Sequence, residues 1–240
     1  MRQWFDSNPE YFQKEKDAVA IEQPGMALEK APKGTRVTPT HSLVCERAIC
    51  RGTYLLRVPE SVRGYEYSIT VITRSAYPVE MPTLCCNDPK LPAGILDRHI
   101  MSDGMACLGI GAELKRKWRP ENGLVGFFRD YVTPYLAWQV YYDEFGHAPP
   151  SGQRSHGAKG ILEFYAEELG LTDLTRSPEF MKLLAKKERP GGHLPCPCGS
   201  GRKLRDCHGK ELWRARESLK WQHVLEDLGQ LDKGKALGNL

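Results

Sequence analysis

Three short runs rich in β-branched and aromatic residues, 43–49, 53–58 and 65–72, follow one another with Gly- and Pro-marked breaks between them. Runs of this length and makeup predict strands, and their close spacing predicts an antiparallel meander. The residues 83–86 add a fourth short strand beyond the turn at Ala76-Tyr77-Pro78. Ahead of the strands, Ser7-Asn8-Pro9-Glu10 reads as a helix start, with a polar cap, a first-turn proline and an acid. That helix is expected to run to Val19. The stretch 22–36, dense in Gly, Pro and charge, reads as loop.

Past residue 107 the period changes. Over 123–145 the aromatics Phe127, Tyr131, Tyr135, Trp138 and Tyr142 recur near a 3.6-residue period, which predicts a long helix with its aromatic stripe in the core. Pro134 should kink or restart it. A second helix is expected over 158–169 and a third from Ser177, with Ser177 as cap and Pro178 in the first turn. Arg189-Pro190-Gly191-Gly192 is a linker, and a charged amphipathic helix carrying Trp213 and Trp221 ends the chain. The fold class is therefore α+β: an antiparallel meander flanked by helices, a helical extension and a small C-terminal module. The expected divisions are 1–146, 147–189, 190–211 and 212–240.

Composition narrows the function classes. At 240 residues, with 40% hydrophobic and 27% charged, the chain has the makeup of an ordinary globular protein. No apolar run approaches the roughly 20 residues that a membrane span needs. The N-terminal stretch lacks the apolar core of a secretory signal, so the cytoplasm is the expected location. Eight cysteines in a reducing compartment point to metal-ligand or catalytic use. The net charge of +4 is uneven: from Arg176 onward there are 14 Lys and Arg against 8 Asp and Glu, and the rest of the chain is slightly negative. A basic tail suits nucleic acid or an acidic partner. It equally suits a solvated, cation-rich module, and with no base-reading motif in the chain nucleic acid is not the expected partner.

Two motifs carry chemistry. Cys196-Pro197-Cys198 and Cys207-His208 place four soft or borderline donors within 13 positions, around a flexible Gly199-Ser200-Gly201. Zinc takes such a set tetrahedrally, and four protein ligands close the site to substrate. A segment so short buries too little apolar surface to fold alone, so the metal would supply folding energy. The second motif is DRHIMSDGMACLGIG, where Cys107 follows a Gly-marked turn, downstream of His99 and two acids, Asp97 and Asp103. A cysteine beside a polar cluster is a nucleophile candidate; the plain alternative is an inert buried thiol. Asp97 and Asp103 either belong to that polar cluster or serve simply as turn residues. Cys45, Cys50, Cys85 and Cys86 fall in strand or turn contexts and read as core thiols.

PCPCGSGRKLRDCHG resembles the SEC-C motif, the zinc module at the C-terminus of SecA and of many other bacterial proteins. The resemblance implies zinc held by Cys196, Cys198, Cys207 and His208, in a docking rather than catalytic role. The order of elements over 1–145 is similar to the ubiquitin-conjugating enzyme fold: helix, meander, Tyr77-Pro78, Gly104, Cys107-Leu108, then Trp118-Arg119-Pro120. In that family a His-Pro-Asn tripeptide precedes the catalytic cysteine, its asparagine eight residues upstream. Here Asp97-Arg98-His99 stands there, and His99 is eight residues from Cys107.

The resemblance implies a transferase that carries a ubiquitin-like or other C-terminally activated protein as a thioester on Cys107 and passes it to an amine. His99 would support the oxyanion or take a proton from the amine. The variant resembles bacterial homologues in antiphage CBASS loci, which implies a cGAS-like nucleotidyltransferase as partner. The chain carries no Gly-rich phosphate loop, so a separate activating enzyme is expected. A different class of function stays open: a catalytically inactive, zinc-dependent protein-binding adaptor.

Overall fold

The computed structural model describes residues 3–57, 64–149, 154–155 and 157–236. The chain divides into two compact units. Unit 1 comprises Met1–Leu108 and Trp118–Ser151; unit 2 comprises Gly109–Lys117 and Gly152–Leu240.

Unit 1 opens with α1 (Trp4–Ser7) and α2 (Pro9–Glu22). The predicted start of the helix holds, with Asn8 as cap: its side-chain oxygen accepts the Tyr11 amide at 3.0 Å. A four-stranded antiparallel meander follows, β1 (Met26–Ala31), β2 (Arg47–Leu56), β3 (Tyr65–Ile72) and β4 (Thr83–Cys86), in that spatial order. The meander was expected, but two of its strands differ from the sequence reading. β1 lies inside the stretch read as loop, where Met26, Leu28 and Ala31 are buried. β2 runs unbroken through Gly52, where the sequence predicts a break between two strands. Gly52 is there for close approach: at φ 143°, a Cβ would sit 2.1 Å from the Gly25 carbonyl oxygen of the incoming chain.

The aromatic segment forms α4 (Gly123–Phe127), a π-helical turn at Phe128–Val132 and α5 (Thr133–Phe145). The ladder is re-phased at the π turn just before Pro134 rather than broken. Phe127, Tyr131 and Tyr135 are buried as expected, whereas Trp138 and Tyr142 are only half-buried. The buried Glu15 of α2 ties this region together, accepting from Tyr77 Oη and from the Leu124 amide, each at 2.7 Å.

Unit 2 contains α3 (Gly111–Lys117), α6 (Gly157–Leu169), α7 (Ser177–Leu184), α8 (Gly209–Ser218) and α9 (Trp221–Ala236). Ser177 does not cap α7: its hydroxyl donates to the Leu162 carbonyl, and Asp173 caps the 3-10 turn ahead of it. The final amphipathic segment is two helices, interrupted at Leu219-Lys220. One hydrophobic cluster unites Phe164 and Tyr165 of α6, Phe180 and Met181 of α7, Leu212 of α8 and Val224 of α9 with Cys196 and Leu204. The segment 194–210 is thus built into this core.

Candidate functional site

In unit 1 the chain leaves β4, makes a 3-10 turn at Leu96–Arg98 and folds back on itself. Ile100 and Ala106 form an antiparallel bridge, and Gly104 closes the reversal by donating to the Met101 carbonyl at 2.9 Å. Gly104 is required at this bend: φ is +81°, and a Cβ would lie 3.0 Å from the Thr38 methyl. The returning arm pairs with the edge of β4, Ala106 donating to Leu84 and Cys86 to Gly104, both at 2.9 Å. Cys107 therefore emerges from a hydrogen-bonded arm, and its amide donates to the His99 carbonyl at 2.8 Å.

His99 has a left-handed backbone, φ 54° and ψ 38°, the one described non-glycine residue at positive φ. Such a conformation costs about 1–2 kcal/mol, and His is among the residue types that tolerate it. Several side chains of α5 offset that cost. Gln139, fully buried, donates to the Arg98 carbonyl at 2.8 Å and accepts from Arg98 Nε at 3.0 Å. The Arg98 guanidinium also pairs with Asp143 and lies 5.2 Å from the Tyr142 ring centre. The His99 ring packs edge-on against Trp138, with centroids 5.6 Å apart. None of these α5 partners is among the site residues that the sequence predicts. A glutamine on the buried face of an aromatic helix was the available signal, since a buried amide must find partners.

Cys107 is half-buried, whereas Cys50, Cys85 and Cys86 are fully buried. Burial pushes the thiols of Cys50 and Cys85 up to about 12 and that of Cys86 to about 11, so they stay protonated and inert. Cys45, read as a core thiol, is only half-buried. The two acids have different settings. Asp103 accepts the Met105 amide at 3.0 Å, and its carbonyl accepts the Thr38 hydroxyl at 2.6 Å, so it builds the bend. Asp97 is exposed in the 3-10 turn. Ile95, Leu96 and Met101 leave an apolar rim exposed around the same loop.

In unit 2 a tight hairpin brings Cys196 and Cys198 to Cys207 and His208. Leu204 donates to the Leu194 carbonyl at 2.7 Å and Cys196 to the Arg202 carbonyl at 2.9 Å. Gly199 and Gly201, at φ +82° and +73°, make the reversal between them. The four donor atoms all lie within 4.8 Å of one another. Cys198 Sγ is 3.6 Å from Cys207 Sγ, and His208 Nδ1 is 3.4 Å from Cys196 Sγ and 3.2 Å from Cys207 Sγ. Tetrahedral zinc, with bonds of about 2.3 Å to sulfur and 2.0 Å to nitrogen, sets ligand–ligand edges of roughly 3.5–3.8 Å. The donor set fits zinc. Arg202 donates to Cys207 Sγ at 3.2 Å, and the His208 ring packs edge-on against Phe180. Although partial burial disfavours its thiolate, Cys198 is held down at about 6, chiefly by hydrogen bonds from Ser200.

No described helix is long and apolar enough to cross a membrane. No curated protein matches the sequence. A solved structure similar to this chain is the yeast vps23 UEV domain in complex with a vps27 PSDP peptide. The likeness has a TM-score of 0.37 and 18% identity and covers 61% of this chain and 86% of that one. Residues 194–210 match the SEC-C motif. The C-terminal unit therefore contains a SEC-C motif, a zinc-binding type, and folds it so that three cysteines and a histidine converge on one point.

Proposed function

We propose that this chain is a cysteine acyltransferase of the ubiquitin-conjugating kind, with a structural zinc site in its second unit. The supporting observation is the contrast among the thiols of unit 1. Three are sealed in the sheet, Cys45 and Cys107 are half-buried, and of those two it is Cys107 that stands at the end of a braced loop whose backbone is hydrogen-bonded to His99. In the proposed reaction the Cys107 thiolate attacks the carbonyl of an activated protein C-terminus. A C–S bond forms and the activating group leaves. An amine then attacks the thioester carbonyl, an amide bond forms, and the C–S bond breaks to regenerate the thiolate.

The Cys107 amide is already engaged by the His99 carbonyl, so the oxyanion of each addition needs a side-chain donor. His99 fills that role as an imidazole N–H donor, or takes the amine's proton when neutral. A histidine can replace the family's asparagine here because both types accept the left-handed backbone this position requires. Asp97 and Asp103 are assigned the lesser task of attracting and orienting the amine. The zinc held by Cys196, Cys198, Cys207 and His208 supplies folding energy rather than Lewis-acid chemistry, since four protein ligands close it.

The passenger is a ubiquitin-like or other C-terminally activated protein, loaded by a separate activating enzyme in the cytoplasm. The motif order, with His99 in place of asparagine, favours a bacterial antiphage setting of the CBASS type with a cGAS-like partner. The test is intact mass of the protein captured from its host lysate, with and without thiol reductant. The expected result is a protein-sized adduct that reductant removes, that Cys107→Ala lacks, and that Cys107→Ser retains as a reductant-resistant ester. An unmodified Cys107 in cells where the Cys107→Ala variant performs as well as wild type would leave the zinc-dependent adaptor as the function.

A further inference from the structure

Only Leu108 separates Cys107 from a segment, Gly109–Lys117, that belongs to unit 2. Within it α3 has seven residues, too few for a stable helix in isolation, so its conformation comes from what it packs on. Its Ala112 is 1% exposed and sits in the unit 2 cluster with Phe164, Tyr165 and Cys196. The Ala112 amide donates at 3.2 Å to Asp227 Oδ2, and Asp227, also 1% exposed, is held from the other side by Tyr165 Oη at 2.9 Å. At Gly111 a Cβ would lie 2.8 Å from Asp227 Oδ1. Arg116 grips Glu168 through two bonds of 2.8 and 3.0 Å, and Lys115 pairs with Glu226.

The polar partners Tyr165, Glu168, Glu226 and Asp227 stand on α6 and α9. Both helices share their hydrophobic cluster with Cys196 and Leu204 of the zinc hairpin, and α9 packs on α3, α6 and α7. We infer that metal binding at Cys196, Cys198, Cys207 and His208 fixes α3 in place and so restrains the loop that carries Cys107, with Asp227 as the positioning residue. This rests on the zinc reading of the SEC-C motif and not on the thioester reading.

The test uses the full chain, zinc-loaded and then chelated, with two readouts: amide hydrogen exchange by mass spectrometry, and the rate of Cys107 alkylation by iodoacetamide. Chelation is expected to raise exchange in 109–117 by about tenfold or more and to change the Cys107 alkylation rate by about threefold or more. Amides of β2 and β3 should keep their protection, and added zinc should restore both readouts. Asp227→Ala, still binding zinc, should reproduce both changes while 194–204 stays protected. The inference is overturned if chelation exposes 194–210 and leaves 109–117 and Cys107 unchanged. It is equally overturned if β2 and β3 lose protection together with α3. Metal analysis reports separately whether zinc binds at all. Alkylation reads the thiol whether or not it ever carries an acyl group, so failure here and failure of the transfer reaction are distinguishable.

Discussion

At Asp227 two effects oppose each other. Burial penalises its carboxylate, while Tyr165 Oη, the Ala112 amide and the charge of Lys115 favour it, and Glu226 sides with burial. Burial wins, raising the group above its ordinary 3.8. The native state therefore holds a proton at pH values where the unfolded chain has released it. That contribution to stability is complete below the unfolded value and is lost as pH rises through the folded one. The Asp227→Asn variant lacks this titration. In metal-free protein, its unfolding free energy relative to wild type should climb with pH from near 3.8 upward and then level off. Urea melts across that range check it, and a difference that stays flat or falls would contradict the assignment. No feature of the sequence marks Asp227, because its partners Ala112 and Tyr165 are 115 and 62 residues away.

The loop and helix that meet at His99 show what element-scale patterns reveal and what they leave out. The meander, the Asn8 cap and the Gly104 bend were legible because each depends on neighbours in sequence. β1 is hard to read because its buried positions Met26, Leu28 and Ala31 do not keep a period of two and are mixed with charge. The expected break at Gly52 does not occur, because Gly52 serves a distant backbone, at Gly25, rather than a local turn. The clasp of Arg98 by Gln139 and Asp143 joins residues some 41 to 45 positions apart, beyond any periodicity argument. It carries a prediction of its own. Gln139→Leu keeps the volume but removes the amide's bonds to the Arg98 carbonyl and Nε, at a cost of about 1–3 kcal/mol. Exchange in 95–101 should rise while α2 and β1 stay protected; unchanged exchange there would mean that α5 does not hold the His99 loop.

For the molecule as a whole, the two units have separate hydrophobic clusters: one gathers Ala31, Val37, Leu43, Ile49 and Cys85, the other the helices of unit 2 with Cys196. A metal that binds only the folded form adds stability by mass action, about 2.7 kcal/mol at a hundredfold excess over its dissociation constant. Calorimetry of the zinc-loaded chain should show two heat-absorption peaks, of which chelation lowers one and spares the other. A single peak that moves as a whole would show that the clusters melt together. The convergence of Cys196, Cys198, Cys207 and His208 was legible because SEC-C spacing is local, whereas the incorporation of that hairpin into a core with Phe164 and Phe180 was not, since those contacts lie outside the motif. The assignment of Gly109–Lys117 to unit 2 has a topological consequence as well. The backbone passes between the units three times, at 108–109, 117–118 and 151–152. A single scission after residue 151 would consequently yield two fragments of which the first still owns α3, a piece of the second one's interior. The first fragment would keep the whole of unit 1, whereas the second would lack α3 and depend on the first to complete its own core.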